Sequence, residues 1–320
     1  MSDLAILGTG AWGTALALQA TRAGRRVTLW GRDPQRVAAI ARDRQNPRVP
    51  GIELPEAVRL TAALPAAPLV LLAVPTQHLR AVLQHLAPGA ALVACAKGLE
   101  AATLLLPLEI VAELHPGSKA AVLTGPNFAA EIAAGLPAAA VLASADAALR
   151  DEVAGLLGTP SFRLYGNDDP AGAQVGGAAK NVIAIAAGAV LGAGLGENAR
   201  AALMTRGLAE IGRLAVALGG RAETVAGLSG LGDLLLTCTS GQSRNFAFGL
   251  ALGRGASPAE ALAAARGVVE GVATAPPLLA RAAAAGLELP ICHAVADLLA
   301  GRITLAGAIG RLLSRPRRDE

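Results

Sequence analysis

The chain has 320 residues, enough for two domains, because single hydrophobic cores stop growing at about 250–300 residues. Its composition, 53% hydrophobic and 16% charged, excludes a disordered chain and a coiled coil. The net charge of +4 does not indicate nucleic-acid binding, because aromatic residues that could stack on bases make up only 2% of the chain.

The first predicted elements are a strand, a glycine turn, a helix and a second strand. The apolar run 4–7 leads into Gly8, Gly10 and Gly13, which have the spacing G-x-G-x-x-G, and the second strand follows at 27–30. In this pattern the glycines permit a tight turn, close approach of the backbone to a pyrophosphate and close packing of helix on strand. The pattern predicts a Rossmann-like dinucleotide-binding domain.

The end of the second strand bears on the choice between NADP and NAD. Arg32 stands there and could bind a 2′-phosphate, which favours NADP, while Asp33 follows at once and leaves NAD open. The alternative for Arg32 is an ordinary surface residue.

Four further strands are predicted, at 69–74, 91–96, 120–124 and 138–143. Ligands bind beyond the carboxyl ends of parallel strands, so Lys97, Gly125 and Asn127 are expected near the glycine turn. From Ala173 onward the pattern is helical, with glycine and proline interruptions. We predict an α/β chain: a Rossmann-like, mostly parallel sheet domain over residues 1–172, then an all-α domain over residues 173–320.

Lysine is rare in this chain, since all basic residues except Lys97, Lys119 and Lys180 are arginine. A partly buried lysine can lower its pKa and donate a proton, which arginine cannot do. Lys180 lies in a Gly/Ala-rich segment before a predicted helix at 182–190, and Asp233 would assist it if the fold brings them together. Lys180 is the candidate proton donor; the alternative is a charge at a helix end that reaches solvent.

A polar segment at 237–245 is predicted to be a loop. Ser243, Arg244 and Asn245 supply a hydroxyl, a guanidinium and an amide, a set that suits a small phosphorylated substrate. A polar loop that caps the next helix is the alternative.

Cysteine, histidine and hydropathy patterns bear on metals, redox compartment and membranes. The cysteines and histidines are scattered without ligand spacing, which predicts no metal site, no disulfide and a cytoplasmic protein.

The apolar run 182–196 is shorter than the roughly 18–20 residues of a membrane span, so a buried helix is predicted. Its glycines, from Gly188, suit either a homodimer seam or internal packing. The arginine-rich end, 315–318, is predicted to be a solvated tail.

A series of ordered motifs resembles the bacterial NAD(P)-dependent glycerol-3-phosphate dehydrogenases over nearly the whole chain. They lie at 8–13, 97–100, 125–129, 179–181, 230–233, 243–245 and 268–271. The resemblance implies reduction of dihydroxyacetone phosphate by NADPH or NADH to sn-glycerol 3-phosphate, for phospholipid synthesis. One departure is visible, because the segment between Asn46 and Pro50 is shorter than is common in the family.

The resemblance also implies roles for individual residues. Lys180 would be the general acid/base, assisted by Lys97 and Asp233. The substrate pocket would contain Lys97, Gly125, Asn127, Lys180, Asp233, Ser243, Arg244 and Asn245. The cofactor would contact Gly8, Gly10, Ala11, Trp12, Gly13, Arg32, Lys97, Ala129, Arg244, Val268 and Glu270.

The sequence is also compatible with three other functions. A dehydrogenase of the 3-hydroxyacid type shares the spacing of Gly176 and Lys180, but Ala184 stands where that type has asparagine. A non-catalytic NAD(P)-binding redox sensor would keep the glycine turn without needing Lys180 or Arg244. A membrane-attached enzyme is supported only by the positive mean hydropathy of +0.49.

Overall fold

A computed structural model of the chain describes residues 3–265 and 267–314. The arginine-rich end that was predicted to be a solvated tail lies outside these residues. The backbone forms two compact units: unit 1 comprises the described residues up to Lys97 and Leu105–Gln174, and unit 2 comprises Gly98–Leu104 and the described residues from Val175 onward. Unit 2 is therefore discontinuous in sequence. Within it, the Leu104 carbonyl accepts a hydrogen bond of 3.1 Å from Arg281 Nη1.

Unit 1 is built on one eight-stranded sheet with the order β3-β2-β1-β4-β5-β6-β7-β8. The strands are β1 Leu4–Leu7, β2 Val27–Trp30, β3 Val58–Thr61, β4 Leu69–Leu72, β5 Ala91–Ala94, β6 Ala120–Thr124, β7 Ala138–Ala143 and β8 Phe162–Asn167. Neighbouring strands are parallel except β6 and β7. The predicted mostly parallel sheet is confirmed.

Helices cover both faces of the sheet. They are α1 Ala11–Arg22, α2 Pro34–Asp43, α3 Thr76–Leu83, α4 Pro107–Leu114, α5 Ala129–Ala134 and α6 Ala147–Leu157. Successive strand residues point to opposite faces, so Leu4 and Ile6 of β1 join the hydrophobic core beneath α1, while Ala5 and Leu7 join a second core beneath α3 and α4. A sheet buried on both faces explains why its central strands are continuous apolar runs.

The strand predictions at 4–7, 27–30, 120–124 and 138–143 match the structure, and the other two strands end two residues early, at Leu72 and Ala94. Sequence reasoning missed β3 and β8, which are the two edge strands. Each contains a single buried residue, Val58 in β3 and Phe162 in β8. With one buried side chain, an edge strand leaves little hydrophobic pattern to read.

Unit 2 is helical, as predicted, and the first helix after β8 begins five residues before Val175, at Pro170. The helices that follow β8 are α7 Pro170–Gly192, α8 Gly196–Ala217, α9 Ala222–Ala226, α10 Asp233–Thr239, α11 Arg244–Gly253, α12 Pro258–Ala263, α13 Glu270–Ala284, α14 Pro290–Leu299 and α15 Leu305–Leu313, with a π-helical turn at Leu228–Gly232. Two local predictions were wrong. Residues 176–181 lie inside α7 rather than before a helix, and Thr237, Cys238 and Thr239 close α10 rather than lying in a loop.

Helix α7 has 23 residues and is long and apolar enough to cross a membrane by length and composition, contrary to the shorter run that the sequence indicated. Of its most apolar 18-residue window, 89% is buried inside the protein, which is typical of a core helix. Its glycines permit close packing: a Cβ at Gly188 would lie 2.1 Å from the Phe246 carbonyl oxygen of α11. Internal packing therefore accounts for Gly188.

We predict that Gly188→Ala destabilises the protein, because the new methyl group would meet backbone of α11 that cannot move cheaply. Overpacking of this kind costs about 1–3 kcal/mol, which should appear as a lower midpoint of urea unfolding. The matched control is Gly212→Ala in α8, where no heavy atom lies within 4 Å of the added Cβ. That control should be neutral or stabilising, since alanine favours helix. Equal midpoints for the two variants would contradict the packing argument.

The cysteines Cys95, Cys238 and Cys292 are free and buried. Desolvation raises the pKa of the Cys95 and Cys238 thiols to about 12, and it raises that of Cys292 well above its ordinary value. Because the thiolate is the reactive form, these groups are poor nucleophiles and poor metal ligands.

We therefore predict that Ellman's reagent at pH 8 labels none of the three thiols within minutes in the folded protein. In guanidinium chloride all three should react, because unfolding removes the burial that suppresses ionisation. Rapid stoichiometric labelling of the native protein would contradict the burial described here.

Candidate functional site

The glycine turn between β1 and α1 forms an open anion-binding loop. Gly8 has a φ of +124°, and a Cβ there would lie 2.5 Å from the Ala73 carbonyl oxygen; a Cβ at Gly13 would lie 2.0 Å from the Gly8 carbonyl oxygen. Both positions thus exclude any side chain. At Gly10, by contrast, nothing lies within 4 Å, and no side chain caps the helix. The first N–H groups of α1 are left for an anion such as a pyrophosphate.

The residues just after the loop contribute packing as well. Ala11 and Trp12 are half-buried against the core beneath α1. The side chain of Asn46 also holds the loop in place by hydrogen bonds. Sequence reasoning treated this residue only as part of a short segment. Asn46 Nδ2 donates to the Thr9 carbonyl at 3.1 Å and to Thr14 Oγ1 at 2.7 Å. These contacts join positions far apart in sequence, so no local pattern reveals them.

The carboxyl end of β2 lies against the same loop, since a Cβ at Gly31 would be 2.8 Å from Thr9 Oγ1. Arg32 is exposed there and has no hydrogen bond to the described residues. Asp33 is the N-cap of α2, where its Oδ1 accepts from the backbone N–H groups of Gln35 and Arg36 at 3.0 and 3.2 Å. The carboxylate is thus partly committed to a capping role.

The ends of β5 and β6 bring Lys97 and Gly125 together, as the strand pattern predicted. Lys97 Nζ donates to the Gly125 carbonyl at 3.0 Å. Asn127 Nδ2 donates to the Ala139 carbonyl at 3.3 Å, while its Oδ1 is buried without a partner among the described residues. Ala129, the first residue of α5, is half-buried.

Two buried hydroxyls near strand ends are likewise without a partner among the described residues. Thr124 is the last residue of β6, and Thr76 is the first of α3, which follows β4. Buried polar atoms are nearly always hydrogen-bonded, so these atoms and Asn127 Oδ1 indicate that a ligand or water is expected at this edge. Together with the open glycine loop, they fit a bound dinucleotide.

In unit 2, Lys180 is buried in the middle of α7, with only 6% of its surface exposed. Its ammonium donates to Asp233 Oδ1 and, at 2.9 Å, to Thr237 Oγ1. The Thr237 hydroxyl in turn donates to the Asp233 carbonyl at 2.6 Å. Asp233 is 1% exposed, so this is a buried ion pair in which the Thr237 hydroxyl is a second acceptor for the ammonium. The sequence anticipated Asp233, whereas it placed Thr237 in the polar anion-binding loop and not beside Lys180.

A close backbone contact at Gly176, one helical turn before Lys180, brings Lys180 next to Asp233. A Cβ at Gly176 would lie 2.8 Å from the Ser229 carbonyl oxygen of the π-helical turn, so only glycine lets α7 approach there. Lys180 follows four residues later on the same helix face, and Asp233 directly follows the turn.

A second network surrounds Asn181, the neighbour of Lys180. Asn181 Oδ1 accepts from Asn245 Nδ2 at 2.9 Å, and Asn181 Nδ2 donates to Glu270 Oε2 at 3.3 Å. The Gly271 N–H donates to Asn245 Oδ1 at 2.9 Å. This network joins α7, α11 and the start of α13. The predicted site residues Asn245 and Glu270 thus meet, through Asn181, which had been assigned no role.

The remaining predicted residues lie at the starts of α11 and α13. Ser243 is buried, and its hydroxyl accepts from the Phe246 N–H at 3.2 Å as the N-cap of α11. Arg244 is exposed and makes no hydrogen bond to the described residues, and Val268 is 52% exposed. Within the ranges 3–265 and 267–314, no cluster of three or more His, Cys, Asp or Glu residues could hold a metal ion.

The family model described as NAD-dependent glycerol-3-phosphate dehydrogenase N-terminus matches residues 3–150, and the one for the C-terminus matches residues 169–309. A glycerol-3-phosphate dehydrogenase [NAD(P)+] of Acidiphilium cryptum is 59% identical over 99% of this chain and 98% of its own length. One of Gluconobacter oxydans is 53% identical over 98% and 97%.

The crystal structure of a glycerol-3-phosphate dehydrogenase from Coxiella burnetii matches with a TM-score of 0.94 and 38% identity, covering 98% of both chains. The match spans both the sheet unit and the helical unit. The chain belongs to the family of NAD(P)-dependent glycerol-3-phosphate dehydrogenases and is an oxidoreductase, as its motifs predicted.

Proposed function

We propose that this chain reduces dihydroxyacetone phosphate to sn-glycerol 3-phosphate, with Lys180 supplying the proton. The observation that carries the proposal is the buried Lys180 ammonium, held by Asp233 and Thr237 in the middle of a core helix. An isolated ammonium in such a place would be costly, and the Asp233 carboxylate supplies the opposite charge beside it. When bound, the nicotinamide supplies the hydride.

In this mechanism the protein residues position the substrate and move one proton. As the carbonyl carbon gains a hydride, its oxygen takes a proton from Lys180 Nζ, and the neutral amine regains one from solvent. Asp233 and Thr237 hold the amine in one orientation, which keeps the proton aimed at one oxygen. Lys97, whose ammonium donates to the Gly125 carbonyl, is the residue proposed to assist this step electrostatically.

Arg244 is the proposed anchor of the substrate phosphate. It is exposed at the first turn of α11, with its guanidinium available to two phosphate oxygens at once. Ser243 and Asn245, the other proposed contacts, are buried on either side and already bonded within unit 2, so they fix the backbone from which Arg244 extends. Asn127 is proposed as a further substrate contact through its unpartnered oxygen.

We assign cofactor binding mainly to residues 1–172 and substrate binding mainly to residues 173–320. The proposed cofactor contacts are Gly8, Gly10, Ala11, Trp12, Gly13, Arg32, Lys97, Ala129, Arg244, Val268 and Glu270. The closed positions at Gly8 and Gly13 beside an open Gly10 support the pyrophosphate contact. NADP is the proposed preferred form, supported by the exposed Arg32 and by the capping role of Asp33.

The wider setting is proposed on more general grounds. We place the enzyme in the cytoplasm, in keeping with three free, buried cysteines. Its product would supply the backbone of phospholipids. A homodimer is also proposed, and sedimentation velocity would report it directly.

We expect Lys180→Ala to lower the turnover of dihydroxyacetone phosphate by about 10²–10⁴-fold, the range typical of a lost general acid. The Kd of NADPH, measured by fluorescence titration, should change little. Lys119→Ala is the matched control, since Lys119 is an exposed lysine paired with Asp146 at 2.9 Å. Unchanged turnover in Lys180→Ala would rule out the assigned role.

Loss of folding must be separated from loss of chemistry, because removing Lys180 leaves the Asp233 carboxylate buried without its counter-charge. The double variant Lys180→Met with Asp233→Leu removes both charges and should restore the thermal midpoint without restoring turnover. Recovery of turnover in that double variant would contradict proton donation by Lys180.

We expect Arg32→Ala to weaken NADPH binding about tenfold, as the loss of one charged hydrogen-bonding partner would do, while NADH binding stays near that of the parent enzyme. Isothermal titration with each nucleotide measures the two effects separately. Equal losses for both nucleotides would reject the 2′-phosphate contact.

A further inference from the structure

Arg32 is not the only arginine beside the carboxyl end of β2. Arg36 lies in the first turn of α2, and Arg48 lies in the short segment after Asn46. We infer that Arg36 and Arg48 complete, with Arg32, a basic pocket for the 2′-phosphate of NADP, and that Asn46 holds this pocket against the glycine loop. The inference rests on the NADP preference proposed above and extends it to residues that no sequence motif identified.

Arg36 is positioned by the glycine loop itself. Its Nη2 donates to the Thr9 carbonyl at 3.1 Å and to Asn46 Oδ1 at 3.4 Å. Both bonds use the same nitrogen, so Nε and Nη1 remain as donors for an anion. The side chain is half-buried and therefore held in one place, which reduces the entropy lost when a ligand binds.

Arg48 is brought to the same place through Asn46. The Asn46 side chain is 1% exposed, and its Oδ1 accepts from the Arg48 N–H at 3.1 Å as well as from Arg36. The amide thus ties Arg48 backbone, Arg36 and the Thr9 carbonyl into one cluster. Arg48 itself is exposed and can move its guanidinium onto a ligand.

The electrostatics of the cluster also favour an anion. Burial lowers the pKa of Arg36, and the nearby positive charge of Arg48 lowers it further, while Asp33 acts in the opposite direction. A phosphate group bound beside both guanidiniums would offset this repulsion. The Asp33 carboxylate offsets only part of this charge, since it also accepts two backbone hydrogen bonds at the start of α2.

The location agrees with the position of the adenosine ribose in Rossmann folds. The 2′ oxygen of that ribose lies at the end of the second strand, beside the glycine loop. Here β2 ends at Trp30, and the next residue, Gly31, approaches Thr9, the residue whose carbonyl binds Arg36. The arginine cluster and the expected ribose position therefore share Thr9.

The competing explanation is that Arg36 only fastens the glycine loop and that Arg48 is a solvated surface charge. A fastener would affect NADPH and NADH alike, whereas a phosphate contact affects only nucleotides that carry the 2′-phosphate. Binding measurements on Arg48→Ala separate the two, because Arg48 contributes only its backbone to the network around Asn46.

The experiment measures the Kd of NADPH, NADH and adenosine 2′,5′-bisphosphate for Arg48→Ala by isothermal titration. We expect about tenfold weaker binding of NADPH and of the bisphosphate, and a change below about twofold for NADH. Arg59→Ala is the matched control: Arg59 is an exposed arginine of β3 whose side chain makes no hydrogen bond to the described residues. Losses in Arg48→Ala no larger than in this control would overturn the inference.

Arg36→Ala provides the second arm. It should weaken NADPH more than Arg48→Ala does and should also weaken NADH somewhat, because the glycine loop loses a fastener. The loss of NADPH affinity is divided by the loss of NADH affinity in this variant. A ratio near one would mean that Arg36 only supports the glycine loop and does not bind the 2′-phosphate. As an independent readout, added salt should weaken NADPH binding less steeply in Arg48→Ala than in the parent enzyme.

These outcomes are distinguishable from failure of the proposed function. Absence of dihydroxyacetone phosphate reduction would reject the function and leave the binding ratios interpretable. Equal affinity of the parent enzyme for NADPH and NADH would reject the 2′-phosphate pocket and leave the reduction intact.

Discussion

A lysine and an aspartate that are almost fully buried together impose the strongest constraint on this structure. Lys180 and Asp233 are 6% and 1% exposed, and burying two charges costs several kcal/mol per ion before their attraction offsets it. Such a pair is weak evidence for stability, because apolar residues of similar volume often serve as well. Its presence in the middle of α7 therefore supports the proposal that Lys180 donates a proton. The surrounding contacts, from Gly176 to Thr237, serve to hold the two groups in register.

Close approach of backbone to backbone occurs in both units and is permitted by glycine. In unit 1 the glycine loop packs so tightly that Gly13 could not carry a methyl group, while the neighbouring Gly10 stays open to a ligand. In unit 2 the same device lets α7 pack against α11 at Gly188. The 38 glycines of the chain thus include several with a physical role: they let backbone segments pack closely, and the charged side chains then extend from rigid supports.

Sequence patterns predicted the central strands almost to the residue, because strands buried on both faces are continuous apolar runs. They failed for the edge strands β3 and β8, each with one buried residue, and for the start of α7, where tertiary burial overrides the low helix propensity of Gly176 and Gly177. Strand order also predicted that Lys97 and Gly125 would meet. Thr237, Asn181 and Asn46 were missed, since their roles rest on hydrogen bonds between distant segments. The roles assigned to the site residues stay predictions.

The short segment Gly98–Leu104 has a consequence for how this chain can be divided. It directly follows Lys97, yet it packs with the helical unit, where the Leu104 carbonyl is bonded to Arg281. No single cut in the polypeptide can separate the two units intact, because a fragment that ends before α7 would still contain Gly98–Leu104, which belongs to unit 2. A chimaera with another dehydrogenase, joined at one crossover point before α7, would combine Gly98–Leu104 of one parent with the helical unit of the other. Both halves of the chain must therefore come from the same parent if this packing is to be kept.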